Sequence, residues 1–124
     1  MEYIVPVEIL LLHSTIVDEL GGTHGVHDIK IVQRACAYIR NDTMFPTIFD
    51  KASALLFALA KKKPFIDLNL PTALAATELF LEQNTHTLDL TDSSVHDFIG
   101  NDLPHARVGD IVLWMEKCAR SSAL

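Results

Sequence analysis

Residues 59–77, LAKKKPFIDLNLPTALAAT, set two apolar helical runs on either side of a short polar loop. The run on the left begins near Pro46 and places Ile48, Ala52, Leu55, Leu56 and Leu59 on one face. It ends in Lys61, Lys62 and Lys63, cations that suit the negative end of a helix dipole. The run on the right begins near Leu70-Pro71, where proline is tolerated because a first-turn N–H has no intrahelical partner. Asn69 is its expected N-cap. From Ala73 to Leu81 only Glu78 is charged, so this fourth helix is expected in the middle of the domain.

Helical periodicity extends outward in both directions. Ile9, Leu12, Ile16 and Leu20 form a stripe that stops at Gly21-Gly22. Asp28 is placed to cap a second helix bearing Ile29, Val32, Cys36 and Ile39. Beyond Gln83-Asn84, the piece Thr87-Leu88-Asp89-Leu90 reads as a small strand or a connection. Asp92 caps a brief helix with Val95, Phe98 and Ile99, and a last helix carries Val108, Ile111, Val112, Met115 and Ala119. The expected architecture is all-α: one domain over residues 1–124, six helices and at most two short strands.

A chain of 124 residues buries roughly two thirds of its unfolded surface without staples. Ten Lys and Arg against sixteen Asp and Glu give a net charge of −6, which argues against a broad nucleic-acid surface while leaving room for a local basic patch. The start, Met1-Glu2-Tyr3-Ile4, lacks a positive n-region, so no signal peptide is expected. The apolar stretch Ala52–Ala60 is far short of the roughly 20 residues that span a bilayer. Cys36 and Cys118 lack CxxC spacing and read as small buried hydrophobes of a reducing compartment. The expected location is cytoplasmic, with no membrane association.

The loop before helix four has one chemical use apart from capping. Free N–H groups and the dipole at a helix start form an anion site, and Asp67 is a candidate magnesium ligand at its edge. The residues from Lys63 to Ala73 (KPFIDLNLPTA) also resemble the signature of the Fic/Doc family, most closely its Doc, or death-on-curing, branch of toxin–antitoxin modules. That signature runs histidine, phenylalanine, an acidic residue, a small residue, asparagine, lysine or glycine, arginine, serine or threonine, and alanine. The opening EILLLHSTIVDELGGTHGVHD is similar to the Doc-type start, a histidine-bearing helix followed by glycines and an aspartate. The resemblance implies a six-helix Fic/Doc-type domain with the motif loop between helices three and four.

What it implies for chemistry has to be carried over position by position. The family's general-base histidine falls at Lys63. Its magnesium-binding acid is kept as Asp67, and its asparagine as Asn69. The small residue is replaced by Leu68, and the phosphate-gripping lysine and arginine by Leu70 and Pro71. Thr72 and Ala73 match, leaving Asn69 and Thr72 as candidates for nucleotide-phosphate contact. Losing a positioned base costs about 10²–10⁴ in rate, and one electrostatic stabiliser roughly 3–4 kcal/mol.

Two functional classes follow. In the first, the chain is a Doc-like pseudoenzyme or protein-binding module engaging an antitoxin-type helical peptide or another protein, with no nucleic acid bound by itself. In the second, it is an ATP- and Mg²⁺-dependent kinase or nucleotidyl (AMP) transferase. As in the family, it would then modify a hydroxyl on a translation-related protein. Other groups weigh less: His24-x-x-His27-Asp28 lacks a third ligand nearby, and His86, His96 and His105 follow no helical or finger-like spacing. Trp114 reads as partial core, and Asp89–Asp102 as a solvated face.

Overall fold

A computed structural model describes residues 1–121. The helices are α1 (Pro6–Leu20), α2 (Ile29–Tyr38), α3 (Ile48–Lys62), α4 (Asn69–Gln83), α5 (Ser93–Asp97) and α6 (Val108–Cys118). A two-residue strand β1 (His86–Thr87) pairs antiparallel with β2 (Arg120–Ser121), with His86 opposite Ser121. The result is a mostly helical single domain, six helices and one two-stranded ribbon among the described residues. No helix among them is long and apolar enough to cross a membrane.

Side chains cap the starts of α2, α3 and α5. Asp28 accepts from Lys30 N at 3.0 Å and Asp92 from Ser94 N at 2.8 Å. Pro46 does not open α3. Thr47 is its N-cap, in a reciprocal box where Asp50 N donates to Thr47 Oγ1 and Thr47 N donates to Asp50 Oδ2, both at 3.1 Å. α5 ends at Asp97, so Phe98 and Ile99 fall in a π-helical turn (Phe98–Asp102), followed by a 3₁₀ turn (Leu103–His105). The extended piece is shorter than Thr87–Leu90 and starts one residue earlier. Ala119 is a buried C-cap rather than part of α6.

α4 shares the centre of the domain with α3: α3 packs against α2, α4 and α6, and α4 against α3, α1 and β1. The buried face of α3 includes Lys51 and Ser53 beside Ala52, Leu55, Leu56 and Leu59, so its polar residues hid its burial from a hydropathy pattern. In α1 the buried row is Ile9, His13 and Val17, and Leu20 is 63% exposed. The face rotated because His13 has a partner inside the domain, described below.

Cys36 is buried and Cys118 half-buried, and both are free thiols. Burial pushes the Cys36 thiol up from 9.0 to about 11, with Glu8 adding to the rise and Arg40 partly offsetting it. Since the thiolate is the nucleophile, iodoacetamide at neutral pH is expected to modify native Cys118 and spare Cys36. Peptide mass spectrometry reads the pattern, and denaturant should abolish the difference.

Candidate functional site

The loop between α3 and α4 is zipped to the turn after α1. Pro64 O accepts from His27 N at 2.7 Å and from Asp28 N at 3.0 Å, and Ile66 N donates to Gly25 O at 3.1 Å. These bonds flank an isolated antiparallel bridge between Val26 and Phe65. In such a non-hydrogen-bonded pair, the N–H and C=O of Phe65 point away from the partner strand and need acceptors and donors elsewhere.

Asn69 supplies both. Its Oδ1 accepts from Phe65 N at 2.8 Å and its Nδ2 donates to Phe65 O at 2.9 Å. It therefore does not cap α4; it is the first residue of the helix, and Leu68, in the left-handed region at φ 57°, stands at the N-cap without a side-chain bond. Leu68 O then accepts from Thr72 N at 3.3 Å and from Thr72 Oγ1 at 2.8 Å. Thr72 is fully buried, and its hydroxyl is turned onto its own helix.

Asp67 clamps the two loops together. Its Oδ2 accepts from Thr23 N at 3.0 Å and its Oδ1 from Leu68 N at 2.9 Å. The carbonyl of Asp67 faces buried His13, whose Nε2 lies 3.0 Å away. A carbonyl only accepts, so Nε2 carries the proton. The His13 ring stacks on Phe65 with centroids 3.8 Å apart and planes 7° from parallel. Gly22 makes room for this junction: a Cβ there would come within 2.6 Å of Leu68 Cδ1 and 2.8 Å of Asp67 Oδ2. The bulk that Leu68 adds to the loop is accommodated at Gly22.

Lys62 parts from Lys61 and Lys63. Lys61 Nζ donates to Leu103 O at 2.6 Å and Pro104 O at 2.7 Å, tying α3 to the carbonyl end of the π and 3₁₀ turns. Lys62 faces the groove between α2 and α3. Lys63 is exposed, leaves the helix at φ 51°, and lines a cavity of about 310 Å³ with Lys61, Leu70 and Leu103. Successive side chains turn by about 100° on a helix, so Lys62 faces away from the cavity that Lys61 and Lys63 share.

Asp67, Asn69 and Thr72 thus lie together, with their side-chain polar atoms bound to backbone groups. Lys63 and Leu70 share the cavity on the other side. His24 Nε2 meets Asp18 Oδ1 at 2.7 Å, and no cluster of three or more His, Cys, Asp or Glu side chains suited to a metal exists among the described residues. His86 lies edge-on to Phe49 at 5.4 Å, and Trp114 stacks on Phe98 at 4.1 Å as core. Sequence reasoning missed the inward role of His13, whose only signal is a polar residue inside the apolar stripe of α1. No protein-family model matches the chain, and no curated protein matches it.

Proposed function

We propose that the chain is a Doc-like domain of the toxin–antitoxin type that works as a protein-binding module, its signature loop serving as a structural clamp instead of a nucleotide cradle. The order of the helices, with the loop between α3 and α4, supports the Fic/Doc-type assignment. The observation that carries the functional reading is the engagement of Asp67, Asn69 and Thr72. Both Asp67 oxygens, both Asn69 amide atoms and the Thr72 hydroxyl are bound to backbone groups.

These residues fit Mg²⁺–ATP badly. Each Asp67 oxygen already accepts a backbone N–H, so a cation there would have to share the carboxylate with the two bonds that hold the loop in place. Thr72 has no surface to offer a phosphate. Lys63 presents a charged donor where a general base must accept a proton. Leu70 brings no charge, and Pro71, third in α4, lacks even the N–H an anion would use.

Calorimetric titration with ATP and magnesium is the test. No heat of binding is expected up to ~1 mM nucleotide. Micromolar binding that Asp67→Ala abolishes, in protein that remains folded by circular dichroism, would overturn the proposal in favour of an ATP-dependent transferase.

A further inference from the structure

We infer that the groove between α2 and α3 binds a small aromatic carboxylate, an aryl ring carrying a short acidic arm. The two helices set its layout. Lys51 Nζ, from the second turn of α3, reaches Ile39 O at 2.8 Å, just past the end of α2. Beyond the other end of α3, Pro64 O meets His27 N and Asp28 N, which precede α2. α3 therefore runs back along α2, and Lys62 stands beside the end of α2 that holds Ile31 and Arg34. Tyr38 and Asn41 lie toward the far end, with Ala35 and Ala58 between. The groove encloses about 530 Å³, within the roughly 300–1,000 Å³ of small-molecule sites.

The polar side chains of the groove are donors, and no acid lines it. The ion pairs among the described residues are His24–Asp18 and Lys51–Asp42, so neither Arg34 nor Lys62 has a carboxylate. Asn41 Oδ1 is taken by Thr43 N at 3.0 Å and Met44 N at 3.1 Å, which leaves its amide N–H groups for a ligand. An unpaired guanidinium and ammonium at one end select an anion, and a carboxylate matches the two parallel bonds that arginine offers. The rest of the groove is apolar, with Ile31, Ala35 and Ala58 as its floor. Tyr38 is 53% exposed and held edge-on against Phe45 at 5.2 Å and 65°, a fixed ring with surface left for an aromatic body. Arg34 and Tyr38 are four residues apart, about 6 Å along the helix, the reach of an aryl ring and a short arm. Apart from this pair of helices the chain is acidic: residues 67–124 and 1–28 hold three of its ten Lys and Arg and all but two of its carboxylates. That field repels a polyanion and tolerates a monoanion.

The experiment titrates the full chain, labelled with ¹⁵N, with 2-naphthylacetate. The neutral isostere 2-naphthylacetamide, the aliphatic carboxylate decanoate and ATP are titrated in parallel. Naphthylacetate is expected to shift the amides of Arg34, Ala35, Tyr38 and Ala58. Its dissociation constant should be about 1 mM or below, the range open to a ligand of about 14 non-hydrogen atoms. The acetamide should bind about tenfold more weakly, and so should naphthylacetate to Arg34→Gln/Lys62→Gln, whose exposed sites leave the fold intact. Tyr38→Leu keeps apolar bulk and removes the ring, so it should weaken naphthylacetate about fivefold and leave decanoate unchanged. Absence of saturable shifts up to about 5 mM, shifts outside the groove, equal binding of the acetamide, or undiminished binding by the double variant would each overturn the inference. So would tighter binding of decanoate or ATP in the groove, since the occupant would then be a lipid-like chain or a polyphosphate. The inference does not depend on the α3–α4 loop: ATP held there would shift the amides of Asp67 and Asn69 and is read separately.

Discussion

Lys51→Ala is expected to remove about 3–5 kcal/mol of folding stability, measured by urea unfolding. Lys51 is only 1% exposed. Its ammonium donates to Ile39 O at 2.8 Å and Asp42 Oδ1 at 2.7 Å, and lies 5.5 Å from the Tyr3 ring centroid. It thereby joins the end of α2 and the following turn to the second turn of α3. Alanine leaves a cavity and a buried carbonyl without a donor. Lys51→Met keeps most of the volume and loses only the polar contacts, and Asp42 is exposed enough to be resolvated. Methionine should therefore cost less, about 1–3 kcal/mol. Equal losses in the two variants would mean that packing contributes nothing at this position.

The same residue gives a pH signature. Burial by itself would lower the Lys51 pKa, but the hydrogen bond to Asp42 and the neighbouring Tyr3 outweigh it, and the pKa is raised above 10.5. A raised lysine pKa contributes stability that is fully present below 10.5 and is lost as pH rises through the folded value. The stability gap between wild type and Lys51→Met should accordingly be constant at neutral pH and close in the alkaline range. The Asp42 carboxyl is held below 3.8, chiefly by the hydrogen bond from Lys51. Its share is present above 3.8 and disappears as pH falls through the depressed value. A gap that widened above 10.5 would contradict this assignment.

Asn69→Ala carries the second large effect, about 2–4 kcal/mol, because two backbone groups of buried Phe65 lose their partner together. Asn69→Asp should cost nearly as much. It can still accept from Phe65 N, but it sets an anion against Phe65 O. Asp67→Ala should be milder, since Asp67 is half-buried and water can reach the amides it leaves. If Asn69 were retained for a phosphate, its replacement would leave stability unchanged and alter nucleotide binding alone. The thermal midpoint and the calorimetric titration separate those roles.

Much of the architecture was legible along the chain. The helix starts at Asp28 and Asp92, the stop at Gly21, and the helix–loop–helix about Lys63 and Asn69 all rest on local chemistry, acting over four residues or fewer. The face that α1 buries was not legible, because His13 is polar and only the distant Phe65 and Asp67 make its burial favourable. Lys51 was hidden for the same reason, its partners lying at Ile39 and Asp42.

The candidate site divides along this line. Sequence by itself determined which residue types stand in the loop, including the lysine, leucine and proline at positions 63, 70 and 71. Only the tertiary structure decided what the others do. Asn69 turned back to Phe65 instead of capping α4, because the strand-like bridge to Val26 leaves Phe65 with two unsatisfied groups. A local rule ranks a residue's nearest partners, whereas burial of a backbone amide by a distant segment changes which partner costs most to forgo.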